Sequence, residues 1–213
     1  MLKVRIVVQG YILYMQKTRT EDMIVKILTP MYIKTLYRFY GARHSIINIG
    51  RKIDFEEELN LAFLPKLKHI LHLGHKWEFD STRYYIWQHF IKLLHRHLFD
   101  IYEIDTFYYT LLDEGAHKLH SQNPKRVVLE MYAKILHFEG RAHQSKDSLC
   151  FMCEGALATS VSLAQGFIFA HQGCIGGSSF DIERILSFLH TQSTILLEDE
   201  EVNGLWEILG LGL

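Results

Sequence analysis

The feature that most limits what this chain can fold into is a change in its hydrophobic period. Up to about residue 72, apolar residues come in short, roughly alternating runs; from Asp80 onward they recur every three or four positions. The first pattern is that of strands and the second that of amphipathic helices. Runs at 9–15, 23–28, 31–40, 45–49, 51–63 and 67–73 are punctuated by Thr29-Pro30, Gly41, Gly50 and Gly74. Five or six strands packed so closely predict a small closed barrel of the oligonucleotide-binding type rather than a sandwich.

From Asp80 onward the stripe Tyr84, Trp87, Ile91, Leu94 and Leu98 predicts a helix capped by Asp80 or Ser81. A second stripe runs from Ile104 through Phe107, Tyr108, Leu111, Leu112 and Ala116 to Leu119. Asn123 and Pro124 predict the start of a third helix, which uses Val128, Met131, Tyr132, Ile135 and Leu136 and stops at Gly140. Ser178-Ser179 is read as the opening of a fourth, and a short helix is expected around 205–209. The expected class is therefore α+β and multidomain. An OB-fold-like small β-barrel over residues 1–74 precedes an α-helical domain over 75–213, with a zinc-ribbon-like insertion at 149–177.

Charge divides at a nearby place. The chain as a whole is at -1, but residues 1–52 hold ten Lys or Arg against two acids, or +8, leaving -9 for the remainder. A basic front on an acidic body points to an anionic partner, of which a phosphate backbone is the commonest. A solvated basic face without a ligand is the alternative. No window of about 18 residues is free of charge, which argues against a membrane span, and residues 1–8 lack a signal-peptide core. Three cysteines, an odd set, suit reduced thiols in a cytoplasmic protein better than a disulfide framework.

Those cysteines belong to a metal-like constellation. Cys150-x-x-Cys153 is followed, after 17 intervening residues, by His171-x-x-Cys174. Two tight turns that each present two donors, joined by a loop of that length, are what a structural zinc requires. Two loop cysteines and a buried third are the alternative. His69, His72, His75, His95 and His97 lie among apolar residues and are expected to pack or cap. Glu114-x-x-His117 has the form of a di-iron ligand pair, but no second pair accompanies it. A nucleophile elbow, a phosphate-binding glycine loop, a dinucleotide fingerprint and an H-E-x-x-H run are all missing, so no enzyme is expected.

Several local runs resemble the RecO family of bacterial recombination mediators. Gln9-Gly10-Tyr11-Ile12-Leu13 resembles its opening strand; Glu21-Asp22-Met23-Ile24-Val25 with Leu28-Thr29 resembles its second. Gly41-Ala42-Arg43 before Ser45 is similar to its Gly-Ala-Arg turn. Residues 107–119, residues 129–140 and Leu149-Cys150-Phe151-Met152-Cys153 resemble its leucine helix, its following helix with glycine, and its knuckle. Tyr40 stands where the family usually has a base, and His171 where its zinc-bearing members usually have Cys. Relatives tend to begin near Met-Gln-Gly, so a start at Val8 through a GTG codon is expected, to be checked by intact mass.

The resemblance implies a non-enzymatic mediator in DNA repair that takes no small-molecule substrate and resides in the cytoplasm with the nucleoid. It would bind and anneal single-stranded DNA. With RecR, it would help load recombinase onto DNA coated by single-strand binding protein. On that reading Lys34, Arg38, Arg43 and Lys52, aided by Lys17 and Arg19, hold phosphates, and Tyr37 or Tyr40 stacks bases. Arg43 alone is carried by a motif; Tyr32, Tyr37 and Phe39 serve equally well as barrel core. The acidic C-terminal tail of single-strand binding protein would enter an apolar pocket of the helical body, rimmed by bases drawn from Arg83, Lys92, Arg96, Lys125, Arg126 and Lys134. Zinc on Cys150, Cys153, His171 and Cys174 would be structural, all four positions being protein ligands. The competing readings are a zinc-ribbon protein-interaction module without DNA binding and a histidine-dependent metallohydrolase.

Overall fold

The computed structural model describes residues 7–19, 21–41, 45–59, 63–142 and 149–213. The chain divides into two compact units, Met1–Ser121 and Gln122–Leu213. Among the described residues no helix is long and apolar enough to cross a membrane.

The first unit is built on five strands: β1 (Val7–Lys17), β2 (Met23–Leu28), β3 (Ile33–Arg38), β4 (Lys52–Glu58) and β5 (Lys66–His72). They close into a barrel in the order β1-β2-β3-β5-β4, with β4 returning to β1. Among the described residues of the barrel, β3 and β5 pair parallel, where Tyr37 meets Lys66, and the other pairings are antiparallel. This is the OB-fold. Alternation explains its core: Val25, Ile27, Leu36, Ile53, Phe55 and Leu67 point inward and are buried with Ile12 and Met23. Each such side chain removed from water contributes about 1.5–3 kcal/mol.

The middle of β1, at Tyr11, Ile12 and Leu13, is buried on both faces. Ile12 enters the barrel, while Tyr11 points outward onto Trp87 and Tyr109, ring centroids 6.1 and 5.8 Å away. A register shift between Ile12 and Tyr14 marks a bulge, which bends the long strand so that it can pair with both neighbours. Residues 45–49, expected as a strand, form turns instead. Both edges of β1 are already paired, so Ile47 fills the barrel as a plug rather than a ladder member.

Among the described residues, two α-helices complete this unit. α1 (Ser81–His97) begins where Asp80 accepts from the N–H groups of Thr82 (2.9 Å) and Arg83 (3.1 Å), and ends in a turn carrying His95, Arg96 and His97. α2 (Thr106–Lys118) is capped by Asp105. α1 packs on β1 through Trp87, whose indole N–H donates to the Gly50 carbonyl at 2.8 Å.

In the second unit, α3 (Pro124–Phe138) starts at the Asn123 cap and stops before Gly140, which adopts φ +69°. A three-stranded sheet follows, ordered β7-β6-β8, of β6 (Ser160–Leu163), β7 (Phe169–Ala170) and β8 (Phe180–Asp181). α4 (Gln172–Ile175) is a single turn between β7 and β8. The helix expected at Ser178-Ser179 starts later, as α5 (Ile182–Thr191), because Phe180 and Asp181 pair with β6 before Asp181 caps the helix. The terminal helix α6 (Asp199–Leu209) is longer than 205–209, extended by a capping box between Glu198 and Glu201. Val128, Phe188 and Leu205 are buried in this core, and Tyr132 meets Phe167 edge-on at 4.9 Å.

Candidate nucleic-acid interface and metal centre

Strands β2 and β3 give the barrel one open, aromatic face. Ile24, Tyr37 and Phe39, with Phe63, Leu64 and Lys66 at the entrance to β5, line a groove of about 570 Å³. The rings of Tyr37 and Phe39 meet edge to face at 5.1 Å, and Lys66 Nζ lies 5.4 Å from the centre of the Phe39 ring. Asp22 holds the rim in place. It accepts from the Tyr37 hydroxyl at 2.5 Å and from the Tyr40 N–H at 2.8 Å, turning the chain there to φ +51°. Phe39 and Phe63 are 47% and 78% exposed, and clustered exposed apolar rings mark a binding surface. The β2–β3 face, beside the β4–β5 connection, is where barrels of this kind bind oligonucleotides or oligosaccharides.

The bases expected to hold phosphate are not equally placed. Lys17 and Arg19 are exposed at the end of β1. Lys34 is paired with Glu57 across the barrel wall. Lys52 Nζ sits 2.7 and 3.0 Å from the two oxygens of Asp113 and within 5.7 Å of the ring centres of Tyr11 and Tyr109. Burial works against the Lys52 cation, but hydrogen bonding to Asp113 and Tyr109 outweighs it and raises the group above the usual lysine range. Arg38 donates to the Leu67 carbonyl at 3.0 Å, with its Nε buried. Arg43 falls outside the described residues. Tyr37 joins the groove; Tyr40 stands exposed beyond it. Phe39, Phe63 and Lys66 were not singled out by sequence reasoning as site residues. Phe39 follows directly after β3, and Phe63 and Lys66 flank the Leu64-Pro65 step into β5.

Among the bases considered for an apolar pocket of the helical body, Arg126 donates to the carbonyls of Thr194 and Leu197 and pairs with Asp199. Lys125 donates to Asn203, and Arg83 to the Leu119 carbonyl. Lys92 and Arg96 are exposed on α1, and Lys134 is half-buried on α3.

The metal constellation assembles in the second unit. One ligand atom from each of Cys150, Cys153, His171 and Cys174 lies within 4.8 Å of every other. The first pair sits in a tight loop closed by the Glu154 N–H donating to the Cys150 carbonyl at 2.8 Å and the Cys150 N–H to Gly155 at 2.9 Å. The second pair follows directly from β7 and turns through α4, where the Cys174 N–H donates to the His171 carbonyl at 3.0 Å. Phe151 N–H donates to the Phe169 carbonyl at 3.1 Å and ties the two turns together.

The donor chemistry fits a tetrahedral zinc. Bond lengths of about 2.3 Å to sulfur and about 2.05 Å to nitrogen require neighbouring donors about 3.6 Å apart. Cys153 Sγ and His171 Nδ1 are 3.3 Å apart. Burial opposes ionisation of Cys150, yet N–H groups of His171, Cys153 and Met152 directed at its sulfur outweigh this and bring it down to about 6. Cys174 is pushed up to about 11 by hydrogen bonding with Cys153 and by burial. Thiolate is the form that binds zinc, so a metal held here would displace the remaining thiol protons.

Residues 8–78, the barrel and the turn that leaves it, match the family model described as RecO N terminal. No curated protein matches the chain.

Proposed function

We propose, from the premise that this chain belongs to the RecO family through its N-terminal domain, that it is a non-enzymatic mediator of recombination and repair that binds and anneals single-stranded DNA. The family match supports the repair role and DNA as partner. The observation that carries the DNA-binding reading is the exposed groove of Tyr37, Phe39 and Phe63 with Lys66 at its edge. Rings of this kind stack any base, which gives affinity with little sequence preference. Exposed Lys17 and Arg19 supply backbone charge, whereas Lys34 and Lys52 already have carboxylate partners. RecR and the tail of single-strand binding protein complete the reading as partners, by which coated DNA is opened for recombinase. Zinc, held by Cys150, Cys153, His171 and Cys174, supports the fold of the second unit and leaves no open position for substrate.

Anisotropy of a labelled oligonucleotide on the full chain tests this. Phe39→Ala and Phe63→Ala are each expected to weaken binding about tenfold, the worth of one base stack. Lys17→Glu with Arg19→Glu is expected to weaken it further and to flatten the salt dependence. That pair is a cleaner probe of charge than Arg38→Glu, which breaks a bond to the Leu67 carbonyl. Affinity unmoved by all four changes, or by salt, rejects the reading. A module that binds protein alone is favoured by one observation: Leu149, Phe151 and Met152 stand exposed around the knuckle. It is distinguished by full metal content with no retention of the oligonucleotide.

A further inference from the structure

The metal reading above leaves open how a histidine can serve where a fourth cysteine would do, and the surroundings of His171 answer it. Building on that reading, we propose that His171 is seated to bind the metal through Nδ1, and that Gly155 with the carbonyl of Ala156 is the seat that selects this nitrogen.

Three observations converge. His171 Nε2 lies 3.1 Å from the Ala156 carbonyl oxygen. A carbonyl only accepts, so Nε2 carries the hydrogen in that contact and the lone pair left for a metal is on Nδ1. Nδ1 is the nitrogen that faces the sulfurs, 3.3 Å from Cys153 Sγ. The imidazole also lies against a residue without a side chain. A Cβ built on Gly155 would come 3.2 Å from His171 Cε1 and 3.4 Å from Cys153 Sγ.

Cε1 is the ring carbon between the two nitrogens, so moving it displaces both contacts at once. Binding through Nδ1, the nitrogen nearer the backbone, draws the ring in against the knuckle, where a Cβ at 155 would require the ring to give by a few tenths of an ångström. The seat itself is held by backbone. The Cys150 N–H donates to the Gly155 carbonyl at 2.9 Å, and Leu149 bridges to Ala156. The loop that places two sulfurs therefore also aims the carbonyl that holds the histidine. A ligand's outer partner of this kind is worth about 10–100-fold in metal affinity. A cysteine at 171 would need neither the carbonyl nor the space.

The test uses the full chain loaded with cadmium-113, and in parallel zinc affinity measured by chelator competition. Coupling from the metal to His171 Hε1 but not to Hδ2 is expected, since only Nε2 ligation lies three bonds from both protons. Gly155→Ala is expected to lower zinc affinity about 10–100-fold with His171 present and by no more than about threefold in the His171→Cys background. Coupling to both ring protons overturns the proposal. So does an unchanged affinity in Gly155→Ala, or an equal loss in both backgrounds, which would make Gly155 a general requirement of the knuckle. Failure of the protein to take up cadmium or zinc at all removes the metal reading itself, and the proposal with it. Should His171→Cys fail to fold, the coupling pattern of the unsubstituted protein still decides.

Discussion

At the scale of single residues, two contacts show how tightly the barrel depends on its outer layer. Gly50 has φ +85°, and a Cβ there would lie 2.7 Å from Trp87 Cδ1 and Nε1. Its carbonyl meanwhile accepts from that same indole. Gly50→Ala combines left-handed strain with overpacking, and urea unfolding is expected to show a loss of about 3 kcal/mol. Lys52 is the second case. It satisfies Asp113, which also accepts from the Tyr11 hydroxyl at 2.6 Å. Lys52→Met leaves that carboxylate without its cation and is expected to cost about 1–2 kcal/mol, less than a fully buried pair because Asp113 keeps some contact with water. The same variant is expected to change oligonucleotide affinity by less than about twofold, since a lysine committed to a carboxylate releases few counterions on binding. A large loss of affinity would restore Lys52 as a phosphate ligand.

At the scale of elements, boundaries are set by caps more than by propensity. α3 begins where Asn123 accepts from the N–H groups of Lys125 (3.0 Å) and Arg126 (3.4 Å), with Pro124 in the first turn where no donor is lost. Asn123→Ala is expected to lower the stability of the second unit by about 1 kcal/mol, read from its denaturant midpoint at unchanged slope. α5 shows the opposite lesson. Two serines look like a helix start, yet Phe180 and Asp181 are taken by the sheet first, and the cap falls to Asp181. The exposed ion pairs of Arg184 with Glu198 and Glu201, at 3.6 and 3.2 Å, add little to that junction.

At the scale of the whole molecule, histidines tie the stability of the first unit to pH. Burial lowers His75, His89 and His95 below the usual value of 6.5. His120, His117 and Lys52 add to the effect at His75 while Glu78 opposes it; Arg96 and Lys92 act on His89, and Lys26 and Arg96 on His95. A lowered histidine binds fewer protons folded than unfolded, so its stabilisation is complete above the unfolded value and declines as pH falls below it. Unfolding free energy is therefore expected to decline from about pH 6.5 downward, and His95→Phe, which keeps an aromatic ring against Tyr14, to reduce the slope. A flat profile across that range contradicts the expectation.

The sequence by itself determined the order of strand and helix periods, the cap at Asn123, and the pairing of two Cys/His turns, because each is written in neighbours a few residues apart; between Asp80 and Ser81 the structure chose Asp80 as the cap. It also carried the family resemblance, which the family match bears out over residues 8–78. Only the tertiary structure decided which bases are spoken for. Lys34 meets Glu57, and Lys52 meets Asp113, through partners 23 and 61 residues away, and no local pattern encodes such pairings. The same holds for the groove, where Tyr37 and Phe63 come together only when β3 and β5 close the barrel. Charge counted along a chain is a sum; the field a ligand meets depends on which charges folding has already cancelled.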